Sequence, residues 1–402
     1  MNMLSAIERT AIERAQAAPM LERTLQWAAI NSGTRNLAGL ATMASTLADA
    51  FSALPGALEL VAPEPVETVT PGGIVEPMAH GRHLLLTVRP DAPVQLLFTG
   101  HMDTVFGIDH PFQRSRWLDD GRLNAPGSAD MKGGLSLMLA ALEAAEASPM
   151  AHRLGYTVLI NSDEETGSLS SRALIARVAD GKAAALTYEP ALPDGTLAGA
   201  RGGTGNFSLV VHGRSAHAGR NPEDGRNALV AAAALAVILA DAKAPGLAVN
   251  PARIDGGGPN NVVPDLAILR VNFRPGDADA IARAQAALDA AIARVSAAHD
   301  VRIELHGSFN RPPKPVDPAA ARLFDLVRDA GADLGIPIAW KATGGVCDGN
   351  NIAACGVPVV DTMGARGGAI HSMEEFLIPE SLPERAALSA LTVLRLAERG
   401  RP

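Results

Sequence analysis

Cysteine is nearly absent. Cys347 and Cys355 are the only two in 402 residues, and they stand close together. That excludes a disulfide scaffold and leaves too few thiolates for a cysteine-ligated zinc site. Aromatic residues make up 3% of the chain, so the hydrophobic 47% must build its core from Ala, Leu and Val. The net charge is -8 and no basic run stands out, which argues against a nucleic-acid surface. Long apolar runs are missing too. The longest, Ala228–Ala240, falls far short of the ~20 residues that span a bilayer. The amino-terminal stretch Met1–Met20 carries Glu8, Arg9, Glu13 and Arg14 and has no signal-peptide layout. These absences predict a soluble, cytoplasmic protein with no membrane or nucleic-acid partner.

A length of 402 residues makes two domains the natural expectation. The chain alternates apolar runs with helical patterns, which argues for a mostly parallel sheet. Helices are expected at Leu4–Ala17, Met20–Ala29, Leu37–Leu54 and Leu135–Ala145. Strands are expected at Leu58–Val61, His83–Val88, Val94–Phe98, Leu154–Ile160 and Ala183–Thr187. Composition changes near Gly199. From Asn206 to His306 the order becomes β-α-β-β-α-β, that of a ferredoxin-like α+β unit inserted into the first domain. The Pro-rich Arg311–Pro315 reads as the return linker, and Gly344–Asn350 as a glycine-rich loop. The expected division is 1–198 and 311–402 for an α/β domain with helices on both faces, and 199–310 for the insert.

The chemistry gathers where strands end. Val94–Phe98 runs into Gly100-His101-Met102-Asp103, and residues two apart on extended backbone share a face. His101 and Asp103 therefore project together from the carboxyl end of a strand, where open α/β sheets place their ligands. A histidine so paired is a metal ligand with the carboxylate that orients it, or simply part of a polar loop. Asp130 lies among glycines before a helix and reads as a ligand or as a helix-start carboxylate. The next strand ends in Asp163-Glu164-Glu165, carboxylates that repel unless cations neutralise them; a solvated loop is the alternative. The strand after that ends in Tyr188-Glu189-Pro190.

Collected with His371, these residues resemble the zinc-dependent exopeptidase and deacylase family that holds bacterial glutamate carboxypeptidase, acetylornithine deacetylase and succinyl-diaminopimelate desuccinylase. The resemblance rests on Gly100–Val105, Gly127–Gly134 and Asp163–Gly167. It extends through Glu189, Gly213–Gly219, Asn261–Pro264 and His371, and looks most like the glutamate carboxypeptidase branch. It implies two zinc ions per chain, with cobalt or manganese as substitutes. His101 and Glu189 would bind one ion, Glu165 and His371 the other, and Asp130 would bridge them across a cis Asp130–Met131 peptide. A bridging hydroxide would be the nucleophile, Glu164 the general base, and Asp103 the orienting group for His101. The ligand chemistry accounts for these residue types without the family, and on that chemistry alone either Glu164 or Glu165 suits the base.

The resemblance also implies that His217, in the insert, stabilises the oxyanion from its own or a partner subunit, in a homodimer formed through the insert; a structural loop histidine is the alternative. Asn261, Arg274 and Arg311 are the substrate-side candidates, since an arginine fork suits a carboxylate. Both arginines fit equally as surface ion-pair residues. The family's Asp-x-Arg reads Asn272-Phe273-Arg274 here, and Cys347-Asp348 stands where Thr-Asp is expected. Cys347 reads as a small packing residue. The expected activity is amide hydrolysis releasing a C-terminal amino acid from a small peptide or N-acyl amino acid. The alternatives are an N-acyl amino-acid deacylase or dipeptidase of the same mechanism, and a non-catalytic binding protein on the same scaffold. No Gly-x-Ser-x-Gly elbow supports a serine hydrolase.

Overall fold

The computed structural model describes residues 4–402, so Met1–Met3 of the amino-terminal stretch read above lie outside the described residues. In chain order the first helices are α1 (Ala6–Gln16), α2 (Met20–Ala28) and α3 (Leu37–Phe51), followed by β1 (Ala57–Val61), β2 (Val66–Val69), β3 (Val75–Met78), β4 (His83–Val88) and β5 (Val94–His101). Then come α4 (Gly133–Glu146), β6 (Leu154–Asn161), α5 (Arg172–Ala179), β7 (Ala184–Thr187) and β8 (Leu197–Arg201). The inserted unit is β9 (Thr204–His212), α6 (Ala228–Asp241), β10 (Leu247–Gly256), β11 (Leu266–Pro275), α7 (Ala278–His299) and β12 (Arg302–Arg311). The chain closes with α8 (Pro318–Asp333), β13 (Trp340–Thr343), α9 (Asp348–Ala354), β14 (Val359–Val360) and α10 (Ser381–Arg399).

The central sheet runs β1-β4-β6-β5-β7-β14. Its β6-β5-β7-β14 part is parallel, and β1 and β4 join antiparallel. Both faces are covered, as the continuous apolar runs require. Alternate residues sort to opposite sides. Leu84, Leu86, Leu96, Phe98, Val158 and Ile160 pack against the helices α1–α4, α8 and α10. Leu85, Leu97, Leu159 and Ala185 pack against Leu174, Ile175 and Ile352 of α5 and α9. The sheet of the insert runs β10-β11-β9-β12, all antiparallel, with α6 and α7 on one face. The fold is α/β with an inserted ferredoxin-like α+β unit, as the sequence led us to expect.

Several elements differ from that expectation. The β2–β3 hairpin was not expected. It crosses to the insert, where Val69 packs with Val210, Ile268 and Leu266, and the Val69 carbonyl accepts from Arg270 Nη2 at 2.7 Å. The expected loop at Gly344–Asn350 becomes a helix from Asp348, because the Cys347 side chain caps it by accepting from the Gly349 N–H. The strand expected at Val262–Phe273 starts at Leu266, since Pro264 cannot donate to a ladder. Arg311–Pro315 is not a free linker. Arg311 and Lys314 are 4% and 2% exposed, and Lys314 trades backbone hydrogen bonds with Arg201.

That last contact anchors a buried ion cluster. Asp361 Oδ2 pairs with Arg201 Nε at 2.7 Å and with Lys314 Nζ at 3.1 Å. Burial would raise the Asp361 carboxyl, but the two cations outweigh it and hold it below its usual range. Asp361→Asn leaves two buried cations without a charge partner, a loss of about 3–5 kcal/mol expected in urea unfolding. The carboxyl's folded pKa is depressed, so its contribution is present above the unfolded value of about 3.9 and fades as pH falls through the folded one. The gap between wild type and variant should therefore close under acid. A gap constant with pH would show that this pair does not carry the effect.

Candidate metal centre

Three adjacent parallel strands end at one place. β5 delivers His101, β6 leads into Glu164 and Glu165, and β7 leads into Glu189. Asp130 arrives from the turn before α4, where the Asp130–Met131 peptide is cis. Gly134 on the first turn of α4 is required there, since a Cβ would stand 2.1 Å from the Tyr188 carbonyl. His371 reaches over from the loop after β14, in the left-handed region at φ 62°, a conformation histidine visits more readily than most residues.

Asp130 is the centre of the geometry. Its Oδ1 lies 3.1 Å from His101 Nε2 and its Oδ2 lies 3.3 Å from His371 Nε2. His371 Nε2 is also 3.1 Å from Glu165 Oε2, and His101 Nε2 is 3.8 Å from Glu189 Oε2. Two groups of donor atoms converge: His101, Asp130 and Glu165, and His101, Glu164 and Glu189. The structure thus brings together His101, Asp130, Glu164, Glu165, Glu189 and His371. Asp103 stands behind them. Its backbone carbonyl is 3.0 Å from His101 Nδ1, and its carboxylate accepts from Thr34 Oγ1 and from the Glu164 and Glu165 N–H groups.

The electrostatics are those of a buried cluster with too much negative charge. Burial pushes Glu164 up to about 7 against the pull of Arg311. Burial and then the charge of Asp130 push Glu165 up to about 8. Burial would also raise Asp130, but hydrogen bonds from His101 and His371 hold it well below the usual carboxylate range. Those same bonds from Asp130 and Glu165 push His371 up to about 11. Glu189 Oε1 is buried with no hydrogen-bond partner, a costly arrangement unless something positive faces it. Nitrogen and oxygen donors, a carboxylate turned to two histidines and an orphaned carboxylate oxygen together fit divalent metal.

Arg311 is neither exposed nor free. Its Nη2 lies 2.8 Å from Glu164 Oε1 and donates to the Glu164 carbonyl at 2.9 Å and to Ser168 Oγ at 2.8 Å, while its Nε is buried without a partner. His217, Asn261 and Arg274 are not brought to the cluster. All three are exposed on the insert. His217 Nδ1 accepts from the Gly219 N–H, the Asn261 carbonyl accepts from Ala218, and Arg274 Nε donates to Asn272 Oδ1. Cys347 is a buried thiol pushed well above its usual value by burial, and both cysteines are free.

Two contributors escaped the sequence reading. Glu375 accepts from the N–H groups of Gly127, Ala129 and Asp130 at 3.0–3.1 Å, and so holds the turn that carries Asp130. The faint signal was its place four residues after His371. Asp348 accepts from Asn161 Nδ2 at 2.6 Å and from Ser168, which ties α9 to the end of β6. A helix-start aspartate gave no sign of that.

Comparison with known proteins finds a matching family and similar folds. The profile of a family described as Peptidase family M20/M25/M40 matches residues 97–395. The chain is 29% identical over 328 residues to carboxypeptidase G2 of Pseudomonas sp. (strain RS-16), covering 79% of this chain and 77% of that protein. It is 27% identical over 304 residues to a succinyl-diaminopimelate desuccinylase of Janthinobacterium sp. (strain Marseille), covering 70% and 78%. Among solved structures it is similar to a tripeptidase from Staphylococcus aureus subsp. aureus mu50, with a TM-score of 0.72, 22% identity and coverage of 96% and 99%. A metallo-carboxypeptidase from Sulfolobus solfataricus gives 0.70, 14% identity and coverage of 94% and 99%. At such identities the structural likenesses establish the fold.

Glu375→Gln replaces one acceptor by an amide donor facing the Gly127 N–H. We expect divalent-metal affinity to drop about 10–100-fold, read by competition with a chromophoric chelator. Unaltered affinity would mean that the Asp130 turn holds itself.

Proposed function

The chain belongs to the peptidase family M20/M25/M40, whose members are metal-dependent hydrolases, and from that premise we propose that it is a di-zinc amidohydrolase releasing a C-terminal amino acid from a small peptide or N-acyl amino acid. The observation that carries the reading is Asp130, with one carboxylate oxygen toward each histidine. His101 and Glu189 would hold one ion and Glu165 and His371 the other, with cobalt or manganese as substitutes for zinc. When bound, the ions neutralise the carboxylates, acidify water and polarise a scissile carbonyl.

The chain's own residues do the rest. Glu164 is not needed as a ligand in this scheme, and burial has already raised its carboxyl toward neutrality. It takes a proton from the attacking water and passes it to the leaving amine. Asp103 fixes the ring of His101 and, through its carboxylate, the Glu164–Glu165 turn. Arg311 Nε, buried without a hydrogen-bond partner, would meet the substrate's terminal carboxylate once domain closure rearranges the site. His217 and Asn261 lie side by side on the insert, linked through the Ala218 and Val262 backbone. From there they meet the oxyanion and substrate after domain closure or across a dimer. The domain division is taken as 1–198, 199–310 and 311–402. A desuccinylase among the relatives favours N-acyl amino-acid deacylation as the second reading, with the same chemistry.

The insert is also the proposed dimer surface. Val230 and Val237 of α6 are 52% and 64% exposed, and β10 is an edge strand with unpaired backbone groups. Two outcomes test these assignments. Glu164→Ala should keep both metals by elemental analysis and lose nearly all release of amino acid from a panel of N-acyl and N-aminoacyl substrates; loss of metal in step with activity would make it a ligand. Val237→Asp should convert a dimer to a monomer in analytical ultracentrifugation, and an unaltered dimer would put the interface elsewhere.

A further inference from the structure

Arg385 of α10 is 0% exposed, the largest of the fully buried side chains among the described residues. It forms no ion pair among those residues, and the acid beside it in sequence, Glu384, is taken by Arg366 at 3.0 Å. Burial pulls its pKa down to about 10, which leaves it a cation at neutral pH. An arginine fully buried without a counter-charge is rare and costly. An apolar side chain of similar volume would serve packing as well. The reason for a guanidinium lies in what it binds.

Arg385 Nε donates to the Gly364 carbonyl at 3.2 Å and Nη2 donates to the Thr362 carbonyl at 3.0 Å, while Nη1 is buried without a partner. Both carbonyls belong to the segment after β14, which lies against the end of β7. There the Met363 N–H donates to the Thr187 carbonyl at 3.0 Å and the Gly364 N–H to the Glu189 carbonyl at 2.9 Å. The approach is too close for any side chain. A Cβ on Gly364 would stand 2.3 Å from the Tyr188 carbonyl oxygen and 2.5 Å from that of Glu189. One turn further along α10, Ser389 shares a hydrogen bond with the Tyr188 hydroxyl. α10 therefore holds Tyr188 and Glu189 twice, directly through Ser389 and indirectly through the fork of Arg385.

Glu189 depends on such a hold. Its Oε1 is buried without a partner, and its Oε2 lies 3.8 Å from His101 Nε2, beyond hydrogen-bond reach. Its own carboxylate contacts do not aim it, so its backbone must.

We propose that Arg385 is a positioning residue for Glu189. Its planar fork binds two carbonyls at once, which a point-like ammonium does less well, and so fixes the segment on which the Glu189 backbone rests. This inference rests on the metal-dependent hydrolase reading above and adds a residue that acts through one of the proposed ligands.

The test uses full-length wild type, Arg385→Met, Arg385→Lys and Arg395→Met. Arg395 is another arginine of α10, ion-paired with Glu8 and Asp333, and its variant controls for stability alone. Zinc affinity is read by competition with a chromophoric chelator, and folding by urea unfolding of the metal-free proteins. Arg385→Met should fold and lose about 10–100-fold in zinc affinity, the size expected of a group that supports a ligand. Arg385→Lys should lose affinity by less. Arg395→Met should lower the urea midpoint and keep the zinc affinity of wild type. In a Glu189→Gln background Arg385→Met should cost nothing further, since both changes act on the same ligand. Unaltered zinc affinity in a folded Arg385 variant, a loss that Arg395→Met reproduces, or a full loss that persists in the Glu189→Gln background would each overturn the assignment. If Arg385→Met does not fold, Arg385→Lys carries the same comparison. A wild type that binds zinc but cleaves no N-acyl or N-aminoacyl amino acid would sink the hydrolase reading, and the affinity comparison would still decide the role of Arg385.

Discussion

Everything near the site answers to one electrostatic constraint. Asp130, Glu164, Glu165 and Glu189 are carboxylates held within a few ångströms of one another and largely out of water. Four such groups cannot share a low-dielectric pocket as anions on the strength of two histidines and Arg311 alone. The fold builds that conflict and then holds it. The sheet sets the spacing of His101, Glu164 and Glu189, Glu375 grips the turn of Asp130 through three N–H groups, and Asp103 ties His101 to the Glu164–Glu165 turn. A rigid frame that keeps like charges together makes cations the natural complement of the site.

The support continues one layer further out. Asp361 gathers Arg201 from β8 and Lys314 from the segment that returns from the insert. Asp348 gathers Asn161, Ser168 and Arg311. Each carboxylate joins parts of the chain that are far apart in sequence. Positioning here is done by buried ions as much as by apolar packing.

Much of this was legible in the sequence, and the reasons are specific. Strands buried on both faces, such as β5 and β6, appear as unbroken apolar runs, and the groups at their ends converge because these strands are neighbours in the sheet and end at one place. The ferredoxin-like order showed through alternating patterns and two long helices. What escaped was whatever depends on contacts between distant segments. The β2–β3 hairpin is short and little buried, and Pro71, Gly72, Gly73 and Pro77 give it the composition of a loop. α9 is short and begins in a glycine-rich stretch, and its cap is a cysteine. Glu375 follows another acid, Glu374, and nothing local distinguishes a carboxylate that will collect three N–H groups. Arg311 and Lys314 sit among prolines, a composition that suggests a tether and hides their burial.

The hairpin also changes how the two sheets relate mechanically. The insert is joined to the rest of the chain by two covalent crossings, which by themselves would leave a hinge free about the line through them. The β2–β3 hairpin adds a non-covalent attachment apart from those crossings, made by Val69 against Val210 and Ile268 and by Arg270 on the Val69 carbonyl. Three points define a plane, so a rotation of the insert must either carry the hairpin with it or shear this small contact. Breaking that contact is therefore part of any such rotation. Residues remote from the metal centre, at the tip of a loop-like segment, share in deciding how readily the molecule changes shape.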